Sequence, residues 1–125
     1  MKTTLLVFLL IASPIVAHHG TNISYDHNKP IAMNATVTEF VWQNPHSQVY
    51  FDVKSPDGTV QHWAGELSSP GNLAKSGKWT RRTLKAGDQI KVTLFPSRAG
   101  TSVGVVQKIE KDGQVIMSDR EALAQ

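Results

Sequence analysis

Five histidines and a lack of cysteine limit the metal chemistry open to this 125-residue chain. His18 and His19 directly follow a predicted cleavage point, so cleavage would free an amine next to the His18 imidazole. Amine and imidazole could chelate one metal ion, or the amine, an amide and the His19 imidazole could form a square plane. Near-planar nitrogen coordination suits Cu(II). The pair therefore predicts a copper chelate, and a solvated pair without function is the alternative interpretation.

His46 is the histidine best placed to complete such a site. It follows a stiff corner at residues 42–45, in which Pro45 fixes its own backbone angle. His62 lies on the order of 20 Å away along the predicted hairpin at ~3.3 Å per residue, so the two imidazoles cannot share one metal ion. His62 is instead predicted to face Asp52 at the surface. The polar arm that begins at residue 18 is long enough to reach back to His46.

The first 17 residues have the layout of a secretory signal peptide. Lys2 gives a positive start, residues 5–11 are apolar, and small residues lead to Ala17, the predicted cleavage residue. The apolar run is too short for a permanent membrane span, although an uncleaved anchor is the alternative. The sequence thus predicts an exported protein with an extended arm (18–30), one domain (31–118) and a flexible tail (119–125). In the polar arm, His27 is expected to face solvent.

Composition indicates one small globular domain and argues against several functions. The chain is 40% hydrophobic and 18% charged. Its formal charge of +3 is too mild to imply nucleic-acid binding. A nucleophile elbow, a phosphate loop and a dinucleotide fingerprint are all lacking from the sequence. Asp52 and Glu66 lie too far apart along their hairpin for a glycosidase pair, so we expect a binding module and no enzyme.

Alternation of apolar residues predicts the elements that position these side chains. They are strands at 31–42, 48–54, 60–66, 89–95, 103–111 and 114–117, with one helix between Ser69 and Gly77. A slip of the alternation near residue 38 indicates a β-bulge. The tight turn at 55–59 sets a hairpin register in which Phe51 faces Trp63 and Asp52 faces His62.

This order of elements predicts an all-β fold, a small five- to six-stranded OB-like Greek-key barrel with one short helix between strands 3 and 4. A small open β-sandwich is the alternative. The barrel suggests a second function of another class, in which its surface docks a periplasmic partner protein or envelope component. Trp42 and the basic pair Arg81 and Arg82 are the predicted contacts.

Several short motifs occur in the order found in a known family. They are Ala17-His18-His19, Tyr25-Asp26, Trp42-Gln43-Asn44-Pro45-His46, Trp63 with Glu66, Ser69-Pro70, Leu84 with Gly87-Asp88, and Asp112-Gly113. With them the chain resembles a family of small exported bacterial proteins of unknown function. The resemblance covers essentially the whole mature chain, and it implies a periplasmic protein with an OB-like barrel. It implies no activity.

Overall fold

All the predicted strands and the helix are present in the computed structural model, which describes residues 24–118. They are β1 (Ile31–Val41), β2 (Gln48–Lys54), β3 (Val60–Glu66), α1 (Pro70–Lys75), β4 (Gln89–Pro96), β5 (Val103–Lys111) and β6 (Gln114–Met117). The predicted signal peptide, the two N-terminal histidines and the predicted tail lie outside the described residues. Within residues 24–118, no helix is long and apolar enough to cross a membrane.

Five of the strands form a closed barrel. The sheet order is β3-β2-β1-β4-β5-β6, and an additional pairing joins β3 to β5. That pairing is parallel and brings residues 64–66 beside residues 103–105, whereas the other pairs are antiparallel. Because it joins the two sides of the sheet, the OB-like barrel is confirmed and the open sandwich is wrong. β6 is an extra strand on the edge of β5.

The long first strand bends so that it can serve both sides of the barrel. Its first half pairs with β4 and its second half pairs with β2. The register against β2 shifts between Val37 and Glu39, which is the bulge predicted from the slipped alternation. A bulge adds one residue to one strand and increases its local bend and twist. The bend allows one strand to close a small barrel.

The hairpin of β2 and β3 has the predicted register, and its inner face forms much of the core. Phe51 is fully buried and stacks on the half-buried Trp63, with ring centroids 6.4 Å apart and planes 7° apart. Gly65 has no space for a side chain, because an added Cβ would lie 2.6 Å from a methyl group of Val106. The helix α1 adds the buried Leu73 to the same core.

Candidate metal site around His46

The corner between β1 and β2 carries His46 and is tied to the end of β3. The Asn44–Pro45 peptide bond in this corner is cis. The backbone N–H of Ser47 donates to the carbonyl of Ser68 (3.1 Å), and the N–H of Leu67 donates to the carbonyl of Ser47 (2.9 Å). These bonds continue the β2–β3 pairing beyond the last strand residues. His46 is therefore fixed beside the chain that leaves β3.

The His46 ring is half-buried and has one nitrogen directed into the protein. Its Nδ1 lies 3.2 Å from the carbonyl oxygen of Leu67 and 3.5 Å from Oε1 of Glu66. A carbonyl oxygen only accepts, so a neutral ring that bonds the Leu67 carbonyl carries its proton on Nδ1 and keeps a lone pair on Nε2. Metal-ligating histidines are usually oriented in this way, with the second ring nitrogen donating to a carbonyl or a carboxylate.

Glu66 connects this ring to the N-terminal arm. Its side chain is only 18% exposed, and its Oε2 accepts a hydrogen bond from the Tyr25 hydroxyl at 3.3 Å. Burial, followed by the charge and the hydrogen bond of Glu66, raises the pKa of Tyr25 above its ordinary value. The phenol therefore stays protonated at neutral pH and remains a donor. One carboxylate thus contacts His46 through one oxygen and Tyr25 through the other.

The arm is fixed to the barrel at the same place. Tyr25 forms an isolated antiparallel bridge with Ser97, just after β4. The backbone N–H of Arg98 donates to the carbonyl of Ser24 (2.9 Å), and its Nε donates to the carbonyl of Tyr25 (3.0 Å). The described part of the arm is therefore anchored to the barrel through backbone hydrogen bonds. Its polar sequence predicted an extended arm but not this anchoring.

The prediction that His27 faces solvent is wrong. Its ring is half-buried and lies 4.4 Å from the ring of Phe95, measured between centroids. Within residues 24–118, its Nε2 is buried and has no hydrogen-bond partner. The neighbours of His27 along the chain are polar, but the aromatic side chain from β4 offers it an apolar surface. His27 thus helps to pack the arm against β4.

His18 and His19 lie outside the described residues, so their grouping with His46 stays a prediction. His18 is seven residues from Tyr25 along the chain, a stretch that spans up to ~25 Å when extended. Within residues 24–118, no group of three or more histidine or carboxylate side chains could hold a metal ion. A metal site at His46 would therefore need ligands from outside residues 24–118, and His18 and His19 are the predicted ones.

His62 is held at the surface by Asp52, as its predicted register required. The two residues face each other across the hairpin, and Nδ1 of His62 lies 2.6 Å from Oδ1 of Asp52. The His62 side chain is 81% exposed.

The predicted docking residues lie at the end of β1 and in the segment before β4. Trp42 is half-buried and packs edge-on against Phe40 (6.0 Å between centroids), and Phe40 packs in the same way against Trp79 (5.8 Å). Arg81 and Arg82 are exposed and follow Trp79 closely in the chain. The aromatic contacts place Trp42 near the start of this basic segment.

Sequence reasoning did not connect Tyr25 and Glu66 with His46. The signal for Glu66 was present in the hairpin register, because Glu66 pairs with Gln48, two residues after His46. No comparable signal existed for Tyr25, because its contact with Glu66 joins residues 41 positions apart.

Comparison with known proteins identifies the family of the chain but no function. Searches of curated proteins and of solved structures gave no match. A model of a family of unknown function, DUF6152, matches residues 7–107. The matched segment includes the double histidine, the corner with His46 and the whole β2–β3 hairpin. Since this match covers most of the sequence, the chain belongs to DUF6152, a family of unknown function.

Proposed function

We propose that the mature protein is a periplasmic binding module that carries or buffers Cu(II). The amino terminus and the imidazole of His18 would provide two nitrogen ligands, or the His19 imidazole would bind together with the amine and an amide. Nε2 of His46 would provide a further nitrogen. A set of this kind suits Cu(II), because imidazole and amine nitrogens in a near-planar arrangement are its preferred ligands.

The observation that carries this proposal is the contact chain from the arm to His46. Tyr25 binds one oxygen of Glu66 at 3.3 Å, and the other oxygen lies 3.5 Å from the ring of His46. Tyr25, seven residues after His18 in the sequence, is therefore already held at the His46 corner. Ordering fewer residues lowers the entropic cost of binding.

The proposed location rests on the signal-like N-terminus. Cleavage after Ala17 would expose His18 as the first residue, which the amine chelate requires. Mass spectrometry of protein from the periplasmic fraction should therefore give a mature chain that starts at His18. A different first residue would remove the chelate and with it the proposed site.

A copper titration tests the proposal. Mature protein with its native amino terminus is titrated with Cu(II) against a chromogenic chelator, in parallel with a protein that has one extra residue before His18. The extra residue converts the His18 amine to an amide, so we expect a loss of affinity. Equal affinities for the two proteins would contradict the proposal.

Docking of a partner protein is the second candidate function. The observation that favours it is that the half-buried Trp42 packs on Phe40, which packs on Trp79, two residues before the exposed Arg81 and Arg82. Aromatic and arginine side chains are enriched in protein interfaces. Equal copper affinities in the experiment above would leave this candidate ahead, and the double substitution of Arg81 and Arg82 by alanine would then be tested for loss of a partner.

A further inference from the structure

We propose that the barrel carries a second binding site, a groove across its outer face that binds a neutral oligosaccharide chain. The groove consists of two adjoining cavities with volumes of about 480 and 380 Å³, and each is within the usual range for small-ligand sites, ~300–1,000 Å³. Asn34 and Gln89 line both cavities, which therefore form one continuous groove. The residues that line it all lie within residues 24–118, and the site is independent of the proposed copper function.

The groove opens where β1 separates from β2. Residues 31–36 of β1 pair with β4, whereas the pairing of β1 with β2 begins at Thr36 opposite Asp52. The end of the β2–β3 hairpin, with Lys54 and Val60, therefore stands away from the start of β1. Ala35 is buried and lines the cavity between them. The groove is thus a consequence of the same bend in β1 that closes the barrel.

The groove runs across the strands and not along them. Val60 of β3 lines one end, and Glu110 of β5 and the turn residue Asp112 line the other. Since β2, β1 and β4 lie between β3 and β5 in the sheet order, the groove extends ~19 Å along the sheet at ~4.8 Å per strand. A peptide that adds to a sheet edge lies parallel to the strands. This direction therefore suits a chain that is bound by side chains.

The charges in the groove nearly cancel. Three carboxylates and two ammonium groups line it, from Asp52, Glu110, Asp112, Lys54 and Lys91. Single-stranded nucleic acids bind in positively charged grooves, because their phosphates need neutralisation. The balance of charges therefore disfavours a polyanion and favours a neutral polar chain.

The middle of the groove carries groups that suit the hydroxyls of a sugar. The amides of Asn34 and Gln89 and the hydroxyl of Thr36 both donate and accept hydrogen bonds, as a sugar hydroxyl does. Nε2 of Gln89 lies 2.9 Å from Oγ1 of Thr36. Oδ1 of Asp52 lies 2.6 Å from Nδ1 of His62. Because neighbouring strands hold these side chains before a ligand arrives, less freedom is lost on binding.

An aromatic ring lies beside this polar row. Tyr50 is two residues before Asp52 on β2, and alternate residues of a strand share one face of the sheet. Its side chain is 37% exposed. A sugar ring has apolar C–H faces and a polar rim, so it can stack on an aromatic ring while its hydroxyls bond amides and carboxylates. Tyr50 therefore adds the apolar contact that the polar row does not provide.

The test titrates the mature protein with two probes, a tetramer of β-linked glucose and a tetramer of β-linked N-acetylglucosamine, and follows its amide signals by nuclear magnetic resonance. We expect saturable shifts with at least one tetramer at the backbone and side-chain amides of Asn34 and Gln89. Gln89→Ala and Asn34→Ala should each weaken binding about 3–10-fold, the effect of one lost hydrogen bond. The double variant should bind about 10–100-fold more weakly if the two losses add.

Gln61→Ala is the matched control. Gln61 is an exposed amide of β3 on the face opposite to Val60, so this variant should bind the tetramers like the parent. All variants should keep the parent's melting temperature, because the substituted side chains are exposed. The protein with one extra residue before His18 should also bind the tetramers like the parent, whatever that residue does to copper binding.

Three results would overturn the inference. The first is a lack of saturable shifts with both tetramers at millimolar concentrations. The second is an unchanged affinity for the tetramers in the folded double variant. The third comes from a single-stranded thymidine octamer, the polyanion control: shifts at Asn34 and Gln89 with the octamer and not with the tetramers would show that the groove binds a charged chain.

Discussion

Two histidine–carboxylate pairs lie along the same hairpin, Asp52 with His62 in its middle and Glu66 with His46 at its end. The middle pair is the shorter, with 2.6 Å between nitrogen and oxygen, against 3.5 Å at the end. The His62 side chain is 81% exposed, whereas that of His46 is 35% exposed. Within residues 24–118, the His62 ring bonds Asp52, while the His46 ring contacts both a carboxylate and a backbone carbonyl.

This difference shows that a short nitrogen–oxygen distance within a histidine–carboxylate pair does not by itself indicate a binding site. An exposed ion pair is screened by water and contributes little. The ring of His46 lies against a carbonyl and a carboxylate, and in a neutral ring that bonds the carbonyl the second nitrogen keeps a lone pair. Tyr25, in the described part of the arm, contacts this pair through Glu66. Burial, the number of partners and the connection to other segments decide what each ring can do.

The largest expected effect comes from removing the largest fully buried side chain of the hairpin. Phe51 lies between them on the inner face of the hairpin and is fully buried. Phe51→Ala should lower the free energy of unfolding by about 3–5 kcal/mol, out of a typical total of ~5–15 kcal/mol. Urea denaturation measures the change. Trp63→Ala should cost less, because Trp63 is only half-buried, and the reverse order would contradict the packing described here.

The ion pair of Asp88 with Lys111 shows what burial adds to a carboxylate. Asp88 is 9% exposed, its Oδ2 lies 2.9 Å from Nζ of Lys111, and it also accepts from the backbone N–H of Lys85. Burial alone would raise the pKa of Asp88, but the hydrogen bonds and charges of Lys111 and Lys85 outweigh it and hold the pKa below its ordinary value. The charged Asp88 side chain therefore stabilises the folded protein at pH values above ~3.9, the ordinary pKa of an aspartate in the unfolded chain. This stabilisation is lost as the pH falls through the lower pKa of the folded state.

Asp88→Asn should accordingly destabilise the protein at pH 7 by about 1–2 kcal/mol. The stabilities of parent and variant should converge as the pH falls below ~3.9. Denaturation curves recorded at several pH values test this expectation. A difference that stays constant down to the acid range would mean that the charge of Asp88 does not stabilise the fold.

The smallest effect is expected at the exposed pair. His62→Ala should change the free energy of unfolding by less than about 0.5 kcal/mol, because its partner and its ring are both accessible to water. Copper affinity should be unchanged as well. A loss of copper binding in this variant would remove the distinction between the two pairs.

The local structure of the hairpin could be predicted from sequence, because its determinants are short in range. The turn at 55–59 and the alternation of Phe51 and Trp63 with polar residues determine the register, and the slip near residue 38 reveals the bulge. The closure of the barrel by the parallel pairing of β3 with β5 could be predicted only from the order of strands and helix along the chain. No local pattern specifies which strands close a barrel.

The candidate site could be predicted only in part, for the same reason. The stiff corner made His46 recognisable, and the hairpin register contained the signal for Glu66, but sequence reasoning did not use it. The Tyr25 contact and the packing of His27 on Phe95 join the arm to distant strands. Such contacts depend on the complete fold, and the polar composition of the arm indicated solvent exposure. The sequence therefore predicted the histidine but missed the groups that hold it.

The central claim is that His46, and not His62, completes a copper site with the N-terminus. It is tested most directly by Cu(II) competition titrations of the mature parent, His46→Ala and His62→Ala, all with native amino termini. We predict that His46→Ala binds at least about 100-fold more weakly, the upper range for loss of a mere supporting partner. The electron paramagnetic resonance spectrum of Cu(II) bound to His46→Ala should show one nitrogen ligand fewer than the parent spectrum. The melting temperature of His46→Ala should be nearly unchanged. His62→Ala should match the parent in affinity, spectrum and melting temperature. Equal affinities and spectra for the parent and His46→Ala would contradict the claim.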